Sequence, residues 1–95
     1  MNAALIASAR RVGAIGEIMF GLFDAQGQEV HTGWQVMSLG LHGIQSIAKD
    51  PERDAVLVCG GDKRRFEALR VALRAGLASM LVTDTVTARY LLGKL

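Results

Sequence analysis

The sequence predicts an α/β fold in which helices pack on a parallel sheet. Two short apolar runs, residues 55–59 and 79–82, have the length and composition of strands, and the first is expected to be covered on both faces. Each run is followed by a helical pattern, and the order strand, helix, strand, helix implies a parallel crossover. We therefore predict a single domain over residues 1–95, centred on the segment 54–76.

The central segment combines a glycine turn with an amphipathic helix. Gly60 and Gly61 turn the chain after the first strand, and Gly76 is expected to cap the end of the helix. Between them, apolar residues recur at helical spacing, namely Phe66, Leu69 and Leu73. This arrangement predicts a strand, a tight turn and a helix in direct succession.

The remaining elements are predicted from shorter patterns. Residues 2–11 are rich in alanine, which favours a short helix. Residues 15–23 carry apolar side chains at i, i+3, i+4, i+7 and i+8, which predicts a second helix that ends at the turn 24–27. Residues 28–37, which include Val30, Trp34 and Val36, are expected to form a loop with strand character.

The segments around the central strand and at the end of the chain have clearer signals. Residues 38–48 predict a short helix weakened by two internal glycines, and Pro51 is expected to stop it. After the second strand, Thr83 or Asp84 can cap a last helix.

The composition limits the classes of function. Of the 95 residues, 51% are hydrophobic and mean hydropathy is +0.28, which is apolar for so small a protein. Such a chain either has an unusually complete core or exposes an apolar surface for another chain, and we expect a homo-oligomer, by default a dimer. The net charge is only +2, so specific DNA binding by this chain is not expected.

Cysteine and membrane signals are weak. The single cysteine, Cys59, lies in the apolar strand and is interpreted as a core residue, and without disulfides a reducing cytoplasm is the expected compartment. No apolar run reaches membrane-spanning length, so no membrane partner is expected. His31 and His42 have no other ligand residues at metal-binding spacing, and neither a metal nor another cofactor is predicted.

The glycine turn is the candidate binding site. A glycine turn before a helix start can hold a phosphate on unpaired N–H groups, although most such corners are only tight turns. Lys63, Arg64 and Arg65 lie near a helix start, where cations oppose the helix dipole unless an anion is bound, and solvated side chains are the alternative. Glu17 is either a residue favoured by a helix dipole or a carboxylate that accepts ligand hydroxyl protons.

Two groups of motifs resemble the sugar-binding effector domain of SorC/DeoR-type bacterial transcriptional regulators. The segments Gly13-Ala-Ile-Gly-Glu-Ile18 and Leu22-Phe-Asp-Ala-Gln-Gly27 are similar to the family's glycine corner and the turn that follows it. Val58-Cys-Gly-Gly-Asp-Lys-Arg64, Ala68-Leu-Arg-Val-Ala-Leu-Arg-Ala-Gly-Leu77 and Leu81-Val-Thr-Asp-Thr-Val-Thr-Ala-Arg-Tyr-Leu-Leu92 resemble its closing motifs. The resemblance runs from about residue 13 to residue 92.

The resemblance implies a fold of the sugar-phosphate isomerase and deaminase type and a phosphosugar ligand. It places Glu17 near ligand hydroxyls and Arg64 at the phosphate, with Gly60, Gly61 and Lys63 beside it. The family usually has lysine where this chain has Arg64, which changes the geometry of phosphate binding.

The resemblance covers only the last third of such a regulator. The family's helix-turn-helix domain, through which DNA is bound, and its first phosphate loop have no counterpart in this sequence, so weak phosphosugar binding is expected. A fragment, a relic reading frame and a module completed by another chain all remain open. The leading hypothesis is a non-catalytic phosphosugar-sensing element, and the alternatives are an isomerase or deaminase fragment and a small dimerising interaction protein.

Overall fold

The computed structural model describes residues 3–18, 21–33 and 39–94, which form four α-helices and five strands. The helices are α1 (Ala3–Arg11), α2 (Gly40–Lys49), α3 (Phe66–Arg74) and α4 (Thr85–Lys94). The strands are β1 (Gly16–Ile18), β2 (Gly21–Phe23), β3 (Glu29–Val30), β4 (Val56–Val58) and β5 (Met80–Val82), and a single 3₁₀ turn (Lys63–Arg65) precedes α3.

The strands form two separate sheets. β1, β2 and β3 make an antiparallel meander, whereas β4 and β5 pair in parallel with Leu57 opposite Leu81. The connection between the parallel strands contains α3, and α4 follows β5. The predicted α/β class, with its order strand, helix, strand, helix, is therefore confirmed for residues 56–94.

The helix predicted over residues 15–23 is wrong, because the described residues of this segment form the antiparallel strand pair β1–β2. Gly16 lies opposite Phe23, and Ile18 lies opposite Gly21. A Cβ at Gly21 would lie 2.7 Å from Cδ2 of Leu41, so glycine here lets α2 pack closely on β2. Gly16 and Gly21 disfavour a helix, and Gly21 also makes a packing contact with Leu41, which is distant in sequence. Together these effects outweigh the helical spacing of the apolar residues.

The central strand is not covered on both faces as predicted. The side chains on the outer face of the β4–β5 sheet are 51–74% exposed, namely Val56, Val58, Met80 and Val82. Leu57 and Leu81 alternate with them and are half-buried. An apolar run indicates what could be buried, but burial of the second face requires a further layer that the described residues do not supply.

Capping residues in the sequence correctly predicted where α3 ends and α4 begins. Asp84 is the cap of α4, since its Oδ1 accepts the N–H of Thr87 at 2.7 Å. Gly76 has a φ of +76° after α3, as expected of a C-terminal cap. The predicted strand character of residues 28–37 is found in β3, and Trp34 and Val36 lie outside the described residues.

The core forms where β2, α2 and α3 meet. Its buried residues are Phe23, Leu41, Ile44, Val71, Ala72 and Leu77. The ring of Phe23 packs so tightly under Gly16 that a Cβ there would overlap it, and Ala68 of α3 lies just beyond. This packing fixes β1 against the first turns of α3.

Among the described residues, no helix is both long enough and apolar enough to cross a membrane.

Candidate functional site

An open pocket of about 410 Å³ lies between β1, the end of β4 and the first turns of the central helix. It is lined by Ile15, Gly16, Glu17, Ile18, Phe23, Leu57, Cys59, Arg64, Arg65, Ala68, Leu69 and Ala72. Most of these side chains are apolar, and the charged ones are a carboxylate and two guanidinium groups. A pocket with an apolar wall and a few convergent polar groups is the usual form of a small-molecule site.

Two of the predicted site residues line this pocket together. Glu17 lies in the middle of β1 and is exposed, which corrects its predicted place at a helix start. Arg64 lies in the 3₁₀ turn on the opposite wall, with its side chain 90% exposed. The antiparallel pairing of β1 with β2, rather than a helix, thus brings Glu17 to the same pocket as Arg64.

The other three predicted residues lie beside the pocket and do not line it. A Cβ on Gly60 would lie 2.5 Å from Oδ2 of Asp84, so this glycine is required by a contact within the chain. Gly61 has a φ of +82° with open space at its Cβ position, so it is required by its backbone conformation. Lys63 is exposed at the start of the 3₁₀ turn.

The carboxylate of Asp84 joins the glycine turn to the start of α4. Its Oδ2 accepts the N–H of Gly61 at 2.5 Å, and its Oδ1 accepts the N–H of Thr87. The Thr87 N–H is the largest cause that lowers the pKa of Asp84, and the Gly61 N–H lowers it further. The carboxylate is therefore charged at neutral pH and already occupies one donor of the predicted phosphate turn.

A second carboxylate, Asp62, accepts hydrogen bonds from the backbone N–H, Nε and Nη2 of Arg64. Its Oδ1 accepts the backbone N–H of Arg64 at 2.9 Å, and its Oδ2 accepts Nη2 of the same residue at 2.9 Å. The hydrogen bond from the guanidinium, followed by that from the backbone N–H, lowers the pKa of Asp62. The same pair raises the pKa of Arg64 above its ordinary value.

Among the pocket residues that were not predicted as site residues, two carry a thiol or a charge. Cys59, interpreted as a core residue, is only half-buried and lines the pocket, as does Arg65. A usable signal existed, because Cys59 directly follows β4, and ligands of parallel sheets bind beyond the carboxyl ends of the strands. Arg65 was part of the basic run at the helix start but was not distinguished from its neighbours.

His31 and His42, set aside as metal ligands, are both exposed and lie outside this pocket. Within residues 3–18, 21–33 and 39–94, no group of three His, Cys, Asp or Glu side chains could hold a metal ion.

Ligands of open α/β sheets bind beyond the carboxyl ends of the parallel strands, and the pocket of this α/β chain lies at such a place. Residues 1–93 match the family described as "Putative sugar-binding domain", and the chain belongs to this family of sugar-binding domains. The resemblance seen in the sequence motifs is thereby confirmed.

Two related proteins show the setting in which this domain occurs. The erythritol catabolism regulatory protein EryD of Brucella abortus (strain 2308) is 26% identical over 83 residues, which are 87% of this chain and 25% of EryD. The crystal structure of a transcriptional regulator from Streptococcus pneumoniae TIGR4 superposes with a TM-score of 0.75 at 25% identity, over 99% of this chain and 34% of that one. The chain thus spans about a quarter of the curated relative and a third of the solved regulator.

Proposed function

We propose that this chain binds a phosphorylated sugar and serves as the non-catalytic, ligand-sensing portion of a cytoplasmic transcriptional regulator. The observation that carries the proposal is the meeting of Glu17 with Arg64 and Arg65 in one pocket. A sugar phosphate needs a hydroxyl acceptor at one end and cations at the other, and residues of both kinds are among those that line this pocket. The family assignment and the two regulators named above support the same function.

Each predicted residue has a role in this proposal. Arg64 binds the phosphate through its guanidinium, and Glu17 accepts hydrogen bonds from sugar hydroxyls. Gly61 gives the turn its conformation and donates its N–H to Asp84, Gly60 lets that turn lie against Asp84, and Lys63 adds positive charge nearby. DNA binding by the whole regulator is assigned in this proposal to a separate helix-turn-helix domain.

An isomerase or deaminase is the alternative function, and the lining of the pocket disfavours it. Such enzymes need an acid and a base placed across an enol intermediate. Among the described lining residues, Glu17 has no second carboxylate or histidine beside it, and the others are the half-buried Cys59, two arginines and apolar residues. The pocket is better suited to holding a ligand than to reacting with it.

A panel of sugar phosphates tests the proposal directly. We expect at least one to raise the melting temperature of the chain at saturation, whereas the corresponding free sugar has no effect, because the arginines recognise the phosphate. Affinity near the millimolar range is expected, so titrations must extend to about 50 mM at constant ionic strength. Turnover of any sugar phosphate by the purified chain would favour the isomerase alternative.

We also infer that the chain associates with itself through the outer face of the β4–β5 sheet, defined above as Val56, Val58, Met80 and Val82. Parallel sheets are normally covered on both faces, and exposed apolar patches of this kind mark interfaces. Light scattering at micromolar concentration is therefore expected to give a dimer, the commonest closed assembly. We expect Val58→Asp, at the most exposed of the four residues, to shift the chain toward monomer.

Leu92→Asp provides the matched control for this prediction. Leu92 is an apolar residue on α4 that is 82% exposed, and it lies outside the β4–β5 outer face. This variant should keep the wild-type mass. A wild-type chain that scatters as a monomer, or a Val58→Asp variant with unchanged mass, would contradict the interface.

A further inference from the structure

We propose that Asp62 is a positioning residue that sets the affinity of the pocket by competing with the ligand phosphate for Arg64. The inference rests on the proposed function, because it concerns the residue assigned there to the phosphate. It assigns to Asp62 a role in ligand binding beyond capping the 3₁₀ turn that precedes α3.

The half-buried Asp62 makes several hydrogen bonds with the exposed Arg64. Nε of Arg64 lies 3.2 Å from each carboxylate oxygen, and Nη2 lies 2.9 Å from Oδ2. The backbone N–H of Arg64 donates to Oδ1 at 2.9 Å. One carboxylate thus binds both the main chain and the guanidinium of Arg64.

Packing does not hold the guanidinium in place. The side chain of Arg64 is 90% exposed, whereas that of Asp62 is 34% exposed. The hydrogen bonds to Asp62 are therefore the described interactions that fix the direction of the guanidinium. Asp62 occupies the Nε–Nη2 edge of the guanidinium, so a phosphate must displace it to bind in a bidentate manner at that edge.

The neighbouring donor of the turn is occupied in the same way. The N–H of Gly61 donates to Oδ2 of Asp84, so this donor too is held by a carboxylate of the chain. When only a fraction of molecules has free donors, the apparent affinity falls by that fraction. Asp62 is the better residue to test, because Asp84 also caps α4.

At neutral pH a phosphate can displace the Asp62 carboxylate from the guanidinium of Arg64. A phosphate monoester carries about −1.5 to −2 charges and three acceptor oxygens, whereas the carboxylate carries one charge and two. The exposed pair is weak, because exposed ion pairs contribute little and are screened by salt. Asp62 therefore lowers the affinity without abolishing binding.

The test is a titration of the Asp62→Asn variant with inorganic phosphate. Binding is monitored through the backbone N–H chemical shifts. Asparagine caps helices about as well as aspartate, so the acceptor for the Arg64 N–H is kept while the charge that holds the guanidinium is lost. We expect about three- to fivefold tighter binding than in the wild-type chain, the range expected for an exposed pair. Asp62→Ser, which caps but is too short to reach the guanidinium, should behave in the same way.

The Arg64→Ala background distinguishes competition from a general charge effect. If Asp62 acts through the guanidinium, adding Asp62→Asn to Arg64→Ala should change the phosphate affinity by less than about twofold. An equal gain in phosphate affinity in the wild-type and Arg64→Ala backgrounds would overturn the inference. Asp62 would then act by long-range repulsion of the phosphate and not through the guanidinium.

The outcomes also separate this inference from the function on which it rests. Wild-type binding at the pocket with no gain in Asp62→Asn and Asp62→Ser would overturn the role of Asp62 and leave the phosphate site standing. If neither phosphate nor any sugar phosphate, at the highest concentration used, changes the N–H chemical shift of a pocket residue in any variant, the role of Asp62 and the proposed function are both overturned.

Discussion

Phe23→Ala is expected to destabilise the chain by about 3–5 kcal/mol. Phe23 is 2% exposed and joins β2 to the core residues of α2 and α3, and its ring fills the space under Gly16. A small domain has only about 5–15 kcal/mol of total stability, so the variant should unfold at a much lower urea concentration. Urea unfolding followed by circular dichroism at one protein concentration measures the difference.

The matched control is Leu92→Ala, which truncates an apolar side chain that is 82% exposed. Its free energy of unfolding should stay within about 0.5 kcal/mol of wild type. If Phe23→Ala were as mild as this control, Phe23 would not be the centre of the core, and the hairpin would not be fixed against α3 as described.

Arg64→Ala is expected to weaken the binding of a sugar phosphate by about ten- to hundredfold. The variant removes a charge-assisted contact to the phosphate, and such contacts have effects of this size when the ligand is otherwise unchanged. Isothermal titration calorimetry at constant ionic strength measures the loss. The fold should be unaffected, because the Arg64 side chain is 90% exposed.

Arg89→Ala is the appropriate control for this experiment. Arg89 is an exposed arginine on α4 that does not line the pocket. Arg70, on the charged face of the central helix, is less suitable, since its guanidinium donates to Glu67 at 2.5 and 3.1 Å. Equal affinities for the wild-type chain and Arg64→Ala would show that the phosphate lies elsewhere.

The sequence predicted the second half of the fold better than the first. Residues 54–94 combine a short apolar run, a glycine turn, helical spacing and caps at Gly76 and Asp84, and these local signals agree with one another. Over residues 15–23 the helical spacing was misleading, because packing between Gly21 and Leu41, distant in sequence, decides in favour of a hairpin. Pattern alone does not contain that contact.

The site was only partly predictable for a related reason. Glu17 and Arg64 could be named from the resemblance, but their meeting in one pocket depends on the hairpin that the sequence analysis missed. The roles of Asp62 and Asp84 depend on hydrogen bonds of 2.5–2.9 Å that spacing does not reveal, in particular the bond from Gly61 to a residue 23 positions later. Likewise, the exposed face of the β4–β5 sheet follows from the number of layers and not from the composition of the strands.

The central claim, that a sugar phosphate binds in the pocket between β1 and the 3₁₀ turn, is tested most directly by a two-dimensional ¹⁵N–¹H titration of the wild-type chain with a sugar phosphate. We predict saturable shifts of the backbone N–H signals of Glu17, Gly61 and Arg64, with little change at His31 and His42, which lie outside the pocket. Shifts centred on either histidine, or no saturable shift at any pocket residue at about 50 mM ligand, would contradict the claim.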